Sequence, residues 1–157
     1  MRTNKAKISF IIMLFWVAVI FSFSLQPASD SSELSMSVGR RLAELLPVDV
    51  VEKLSEVPRE QLDFLHMLLR KIGHFSEYFV LGIFSMVSFL QTELRHKKWL
   101  GLGFCVLVAV MDETIQLFVS GRSGQITDVL LDSVGALFGI LIVLLIRKLF
   151  GSRRNKI

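Results

Sequence analysis

The chain has 157 residues and a formal net charge of +4, and 52% of its residues are hydrophobic. This length fits one ordinary domain, but the apolar residues fall into long uninterrupted blocks, which excludes a water-soluble domain. The basic residues flank these blocks instead of gathering on one polar surface, so we expect no nucleic-acid partner. The single cysteine, Cys105, excludes an internal disulfide and a cysteine-based metal cluster.

Four apolar stretches approach the roughly 20 residues that a helix needs to cross a bilayer. They predict an all-α membrane protein, a bundle of four transmembrane helices. The predicted spans are residues 8–25, 74–91, 99–119 and 128–150. The first follows basic residues, as in a signal peptide, but its apolar core exceeds the usual ~7–15 residues. We therefore expect an uncleaved anchor, with a cleaved signal peptide as the alternative.

The spans divide the chain into a tail with the first anchor (1–25), an extracytoplasmic loop (26–70), a three-helix core (71–150) and a basic tail (151–157). Pro58 suits the first turn of a helix, which we expect to continue from the loop into the second span. Apolar residues at helical spacing predict a further amphipathic helix in the loop. These residues are Val38, Leu42, Leu45 and Leu46.

The distribution of Lys and Arg beside the spans predicts the orientation. With both termini in the cytoplasm, the larger share of the 18 basic residues lies on the cytoplasmic side. Arg70 and Lys71 favour the opposite orientation, because with cytoplasmic termini these two basic residues would sit directly at the outer end of a helix. The balance predicts a multi-pass protein of the cell membrane with cytoplasmic N- and C-termini.

The last three spans contain ionisable residues, which are costly in a membrane and therefore mark a candidate functional site. Counting about 20 residues back from each cytoplasmic end places Glu77, Glu113 and Asp132 at one depth. Helical phase puts polar and small residues on one face of each span, so we expect the acids to point into the bundle. The faces comprise Lys71, His74, Tyr78, Gly82 and Ser85; Cys105, Ala109, Asp112 and Gln116; and Asp128, Asp132, Gly135 and Gly139.

Three motifs in this region resemble the VanZ-like family, which is named for an accessory protein linked to teicoplanin resistance. The resemblance covers about residues 64–139. It implies a small bacterial membrane protein and assigns no catalytic residue. The motifs are Arg70-Lys71-x-x-His74-Phe75-x-Glu77-Tyr78, then Asp112-Glu113-x-x-Gln116, then Gly121-Arg122 followed by Asp128-Val129-x-x-Asp132-x-x-Gly135.

Carboxylates gathered in a low-dielectric site cannot all stay ionised, so some are protonated, paired with a protonated His74, or neutralised by a cation. We expect the site to bind or act on a phosphate-bearing membrane lipid or lipid-linked cell-wall precursor at the outer leaflet. That activity would lower susceptibility to lipoglycopeptide antibiotics such as teicoplanin. The expected binding residues are Lys71, Tyr78, Gln116, Arg122, Asp128 and Asp132.

Two alternatives remain open at this point. In the first, the chain is a membrane-embedded hydrolase or transferase on a lipid-linked substrate, in which a histidine and a carboxylate transfer protons. No nucleophile motif identifies its catalytic residues, and the candidates are His74, Glu77, Asp112 and Glu113. In the second, the charges form a purely structural network between helices. The oligomeric state is open as well.

We expect no cofactor and no metal, because the candidate site offers one imidazole and no cysteine. A divalent cation is the alternative. A histidine and a glutamate one turn apart, facing carboxylates on other helices, form a ligand set suited to Zn²⁺, Fe or Mn²⁺, and a hydrated Mg²⁺ or Ca²⁺ could bridge the acids to a phosphate. The candidate ligands are His74, Glu77, Glu113 and Asp132.

Overall fold

The computed structural model describes residues 2–27 and 58–151, and the regular elements of these residues are all α-helices. Each helix contains a stretch long and apolar enough to cross a membrane. The prediction of an all-α bundle of four spans is confirmed. The helices are α1 (Arg2–Ser24), α2 (Arg59–Leu90), α3 (Lys97–Gln116) and α4 (Ile126–Gly151).

The second helix begins well before the predicted span. Its apolar stretch starts at Met67 instead of residue 74, because Arg70 and Lys71 interrupt the apolar run in the sequence without ending the helix. α2 has 32 residues, about 48 Å at the helical rise, and is therefore longer than the ~30 Å hydrocarbon core. Pro58 directly precedes its first residue, which confirms the predicted continuous helix.

The third span ends at Gln116, three residues before its predicted end at residue 119. Turns occupy residues 117–121, so the apolar side chains there belong to the connection between α3 and α4. The amphipathic helix predicted around residues 38–46 and the basic tail after Gly151 lie outside the described residues.

α2 is the central helix of the bundle, because it packs against α1, α3 and α4, and most extensively against α4. Glycines allow this close packing. A Cβ at Gly139 would collide with the carbonyl oxygen of Phe79, and one at Gly135 would lie 2.6 Å from the carbonyl oxygen of Phe75. The small residues predicted on α4 therefore do bring two helix backbones together.

α1 is part of the packed bundle. Its Met13 and Ile20 are buried in an apolar core with Cys105, as expected for a small core residue. The indole Nε1 of Trp16 donates a hydrogen bond to the backbone carbonyl of Glu77 at 3.0 Å. The outward faces of the helices carry exposed apolar side chains that suit contact with lipid, including Phe15, Leu107, Leu137 and Ile142.

Candidate functional site

Four titratable side chains meet inside the bundle, and we call them the acid–histidine cluster: His74, Asp112, Glu113 and Asp132. One ligand atom from each lies within 4.8 Å of the others. α2 supplies the histidine, α3 two acids and α4 the third, and all four side chains are buried, with exposed fractions of 7% or less. Convergence of polar groups from three helices agrees with the prediction from helical phase.

The cluster residues face inward because each shares a helix face with small or core residues. On α3, Asp112 is buried on the same face as Cys105 and Ala109. On α4, Asp132 lies one turn before Ala136 and is likewise fully buried. Asp132 also lies one turn before Gly135, whose close approach to the backbone of α2 shows that this face of α4 points into the bundle.

Gln116 connects the cluster to α1. Its side-chain Nε2 donates to Asp112 Oδ2 at 3.2 Å and to Glu113 Oε1 at 3.4 Å. The same nitrogen contacts Ser24 Oγ at 3.4 Å, at the last residue of α1. The side-chain amide of Gln116 therefore orients both α3 carboxylates and links them to the last residue of α1.

The connection between α3 and α4 contributes a backbone group to the cluster. Gly121 has a φ of 76°, a conformation that glycine adopts without strain, and a Cβ at Gly124 would lie 2.5 Å from the backbone carbonyl oxygen of Glu113. This close approach places the amide of Gln125, which donates to Glu113 Oε2 at 2.8 Å. Gly121 and Gly124 therefore help to build the site through the backbone conformation of this connection.

Several polar atoms of the cluster have no hydrogen-bond partner among the described residues. They are His74 Nδ1, Asp112 Oδ1 and both carboxylate oxygens of Asp132. His74 Nδ1 lies 3.7 Å from Asp132 Oδ1, which is too long for a hydrogen bond. Because buried polar atoms are almost always hydrogen-bonded, this group calls for a water, an ion or a ligand.

A basic rim, formed by Arg70, Lys71 and Arg122, lies at the same end of the bundle. Arg70 Nη2 and Lys71 Nζ contact Asp128 Oδ2 and Oδ1 at 3.0 and 2.7 Å. The Asp128 carboxylate is fully buried, whereas the two cationic side chains remain 39% and 32% exposed. Asp128 therefore holds both cationic groups in place and leaves them partly exposed at the surface.

Arg122 belongs to the connection between α3 and α4. Its guanidinium is half-buried and donates from Nη2 to the carbonyl oxygen of Phe23 at 3.0 Å. Burial, followed by repulsion from the Arg70 guanidinium, lowers the pKa of Arg122 below its usual value. The Arg122 guanidinium therefore lies within electrostatic range of the Arg70 guanidinium and also of the carboxyl groups of Asp112, Glu77 and Glu113.

A family model described as VanZ/LLP1 matches residues 9–147. This chain belongs to the VanZ/LLP1 family. The match confirms the VanZ-like resemblance and extends it to α1, which the sequence motifs did not cover. Together with the four apolar helices it identifies a VanZ-like, multi-pass integral membrane protein. A search of curated proteins and a search of solved structures each found no match.

The remaining candidate residues of this VanZ/LLP1 family member lie beside the cluster. Glu77 is half-buried and within electrostatic range of Asp112 and Arg122, but it is not one of the four converging residues. Tyr78 is fully buried in the apolar core, and its hydroxyl has no hydrogen-bond partner in the described part of the chain. Of the acids on these helices, Asp112 and not Glu77 therefore converges with His74, Glu113 and Asp132.

Arg70, Ser24 and Gln125 contact the site but were not expected in it. A signal for Arg70 exists in the sequence, since it precedes Lys71 beside the predicted start of the second span and long side chains can reach across a helix face. Ser24 and the backbone amide of Gln125 have no comparable signal. They reach the site through the packing of α1 and the turn before α4.

Proposed function

We propose that this VanZ/LLP1 family member binds the phosphate-bearing head group of a lipid or lipid-linked cell-wall precursor at the outer leaflet of the cell membrane. Binding lowers the susceptibility of the cell to lipoglycopeptide antibiotics such as teicoplanin. The observation that carries this proposal is the basic rim: Arg70 and Lys71 of α2 pair with the buried carboxylate of Asp128, and Arg122 lies at the same end of the bundle, where it contacts Phe23.

Phosphate is the ligand chemistry that fits the rim best. A guanidinium presents N–H donors in a planar fork that matches two phosphate oxygens. Asp128 anchors Arg70 and Lys71 without burying them, and an anion bound near Arg70 and Arg122 would offset the repulsion between these two guanidinium groups. A lipid head group can supply this anion, because its phosphate lies at the membrane surface, where the apolar spans of α1 and α3 end.

The outer leaflet follows from the position of the rim and the predicted orientation. Arg122 contacts Phe23 and Gln116 contacts Ser24, so the rim and cluster lie at the end of the bundle where α1 finishes. That end is opposite the N-terminus of α1. With the N-terminus in the cytoplasm, as the flanking charges predict, the site opens to the outside.

The experiment that tests the proposal replaces Arg122 by alanine in the cell that expresses the protein. A charge-assisted hydrogen bond contributes about 1.5–3 kcal/mol, so Arg122→Ala should weaken head-group binding about 10- to 100-fold. We expect Arg122→Ala cells to become as susceptible to teicoplanin as cells that lack the protein. Susceptibility is measured as the inhibitory concentration, and the membrane level of each variant by immunoblot.

Arg95→Ala is the matched control. Arg95 is exposed in the connection between α2 and α3, at the opposite end of the bundle, so its removal takes away one cation without touching the rim. Arg95→Ala should leave susceptibility at the wild-type value. The proposal fails if Arg122→Ala reaches the wild-type membrane level and leaves susceptibility unchanged.

A second candidate function is catalysis on the same lipid-linked substrate. It is favoured by the facing pair of His74 Nδ1 and Asp132 Oδ1, 3.7 Å apart and without hydrogen-bond partners among the described residues. An imidazole beside a carboxylate can accept and return a proton. In this alternative the basic rim positions the phosphate and the pair acts as acid and base.

A further inference from the structure

We propose that the acid–histidine cluster is a binding site for a divalent transition-metal ion of the Mn²⁺ type, held by His74, Asp112, Glu113 and Asp132. The inference is independent of the proposed head-group binding, because it concerns the buried cluster and not the rim. It takes up the divalent-cation alternative of the sequence analysis, with Asp112 in place of Glu77 among the ligands.

The distances fit one ion. Nitrogen and oxygen ligands lie about 2.0–2.2 Å from a first-row metal ion, so two of them on opposite sides of it are about 4.2 Å apart. The four cluster side chains offer ligand atoms within 4.8 Å of one another. Small rotations of side chains that already face one another would complete the coordination.

The atoms without partners are those that a metal ion would use. His74 Nδ1, Asp112 Oδ1 and both oxygens of Asp132 are buried and have no hydrogen-bond partner in residues 2–27 and 58–151. They are contributed by three helices and belong to residues that all lie in the cluster. A buried polar group without a partner destabilises the folded chain, and coordination to an ion would remove this penalty.

The other carboxylate oxygens are held from outside. Gln116 Nε2 donates to Asp112 Oδ2 and to Glu113 Oε1. The backbone amide of Gln125 donates to Glu113 Oε2. Metal-binding carboxylates are typically oriented by such outer hydrogen bonds. Each carboxylate oxygen has more than one lone pair, so these bonds leave Glu113 able to coordinate.

Charge gives the choice of ion. Three buried carboxylates beside one imidazole are strongly stabilised by a divalent cation, whereas unpaired they would have to take up protons. Oxygen ligands favour Mn²⁺, imidazole is also accepted by Fe²⁺ and Zn²⁺, and the cluster contains no cysteine to select a softer ion. We therefore infer Mn²⁺ as the best probe of the site.

The test titrates Mn²⁺ into the full-length protein, purified in detergent and freed of metal with a chelator. The sharp EPR signal of aqueous Mn²⁺ broadens when the ion is bound, so the remaining signal measures free ion. We expect one tightly bound ion per chain and a higher unfolding temperature with Mn²⁺ than without it. Asp132→Asn and Asp112→Asn should each weaken binding at least about tenfold, since each removes a charged ligand.

Glu93→Gln is the matched control, because it removes an exposed acid of the α2–α3 connection that lies outside the cluster. It should bind Mn²⁺ as the wild type does. The proposal is overturned if the wild-type protein leaves the EPR signal and the unfolding temperature unchanged, or if folded Asp112→Asn and Asp132→Asn bind as tightly as Glu93→Gln does. The wild-type titration decides even if a variant does not fold.

Mn²⁺ binding together with unchanged susceptibility in Arg122→Ala cells would remove the proposed function and leave the metal site in place.

Discussion

Asp128 and Asp132 lie one helical turn apart on α4, yet their carboxylates have opposite surroundings. Asp128 is paired with Arg70 and Lys71, which ties α2 to α4 as a structural charge network would. Asp132 has no hydrogen-bond partner for either oxygen in the described structure. The structural alternative thus accounts for the first acid, but it leaves the second without an explanation.

The pair of His74 and Asp132 separates a binding protein from an enzyme. If head-group binding is the function, purified protein should retain extracted lipid-linked precursors and leave their masses unchanged in mass spectrometry. A converted product, abolished by His74→Gln, would instead establish catalysis, because that substitution keeps a side chain of similar size but removes its ability to transfer a proton at neutral pH. Glu93→Gln, an exposed acid outside the bundle, controls for nonspecific effects.

The burial of an individual site residue is predictable from the sequence where its position on a helix face decides whether it faces inward. Phase arguments identified Asp112, Gln116 and Asp132 as inward-facing, and the structure buries all three. Glu77 was expected at the depth of Glu113 and Asp132, but depth and phase on separate helices do not determine which side chains touch. That depends on how each helix is rotated and shifted against its neighbours.

At the scale of the elements, close packing of α2 against α4 determines where the site forms. Gly135, Gly139 and Gly82 let the two backbones approach where a side chain would intervene. Small residues are what permit such contacts between membrane helices. Because the cluster draws His74 from α2 and Asp132 from α4, separation of these helices would also separate its ligands.

Alanine substitution at Gly139 tests this dependence. The new methyl group meets the backbone carbonyl of Phe79, which cannot move without shifting the helix, so we expect a loss of about 1–3 kcal/mol in stability. The measurement is the midpoint of thermal unfolding in detergent. Mn²⁺ affinity should fall in parallel.

Gly103→Ala is the matched substitution on α3, since a Cβ at Gly103 meets nothing within 4 Å. It should leave stability unchanged or raise it by up to about 1 kcal/mol, because alanine favours the helix more than glycine does. Equal unfolding midpoints for Gly139→Ala and Gly103→Ala would show that the α2–α4 contact does not limit stability.

At the scale of the whole molecule, the order of the helices places the rim and cluster at one end and the α2–α3 connection at the other. Orientation in the membrane therefore decides which compartment supplies the ligand. With the N-terminus inside, the site faces outward, where lipid-linked cell-wall precursors are exposed. With the opposite orientation it would face the cytoplasm.

Cysteine labelling measures the orientation directly. Ser123 is exposed in the α3–α4 connection and Cys105 is fully buried, so Ser123→Cys on a Cys105→Ala background offers one accessible thiol. An impermeant thiol reagent should label it in whole cells. Lys98→Cys on the same background, exposed at the opposite end, should be labelled only after lysis. The reverse pattern would contradict the outer-leaflet assignment.

The amino-acid sequence by itself determined the class, the number of spans and the inward face of the last three, because apolar length and helical period are local properties of a chain. It also contained the motifs of the family, which depend on residue type and order. Only the tertiary structure decided that Asp112 joins His74, Glu113 and Asp132 while Glu77 stays beside them, and that Arg70 shares Asp128 with Lys71. These contacts depend on the approach of α2 to α4 at their glycines and on the turn that brings Gln125 to Glu113, and both are relations between segments distant in sequence.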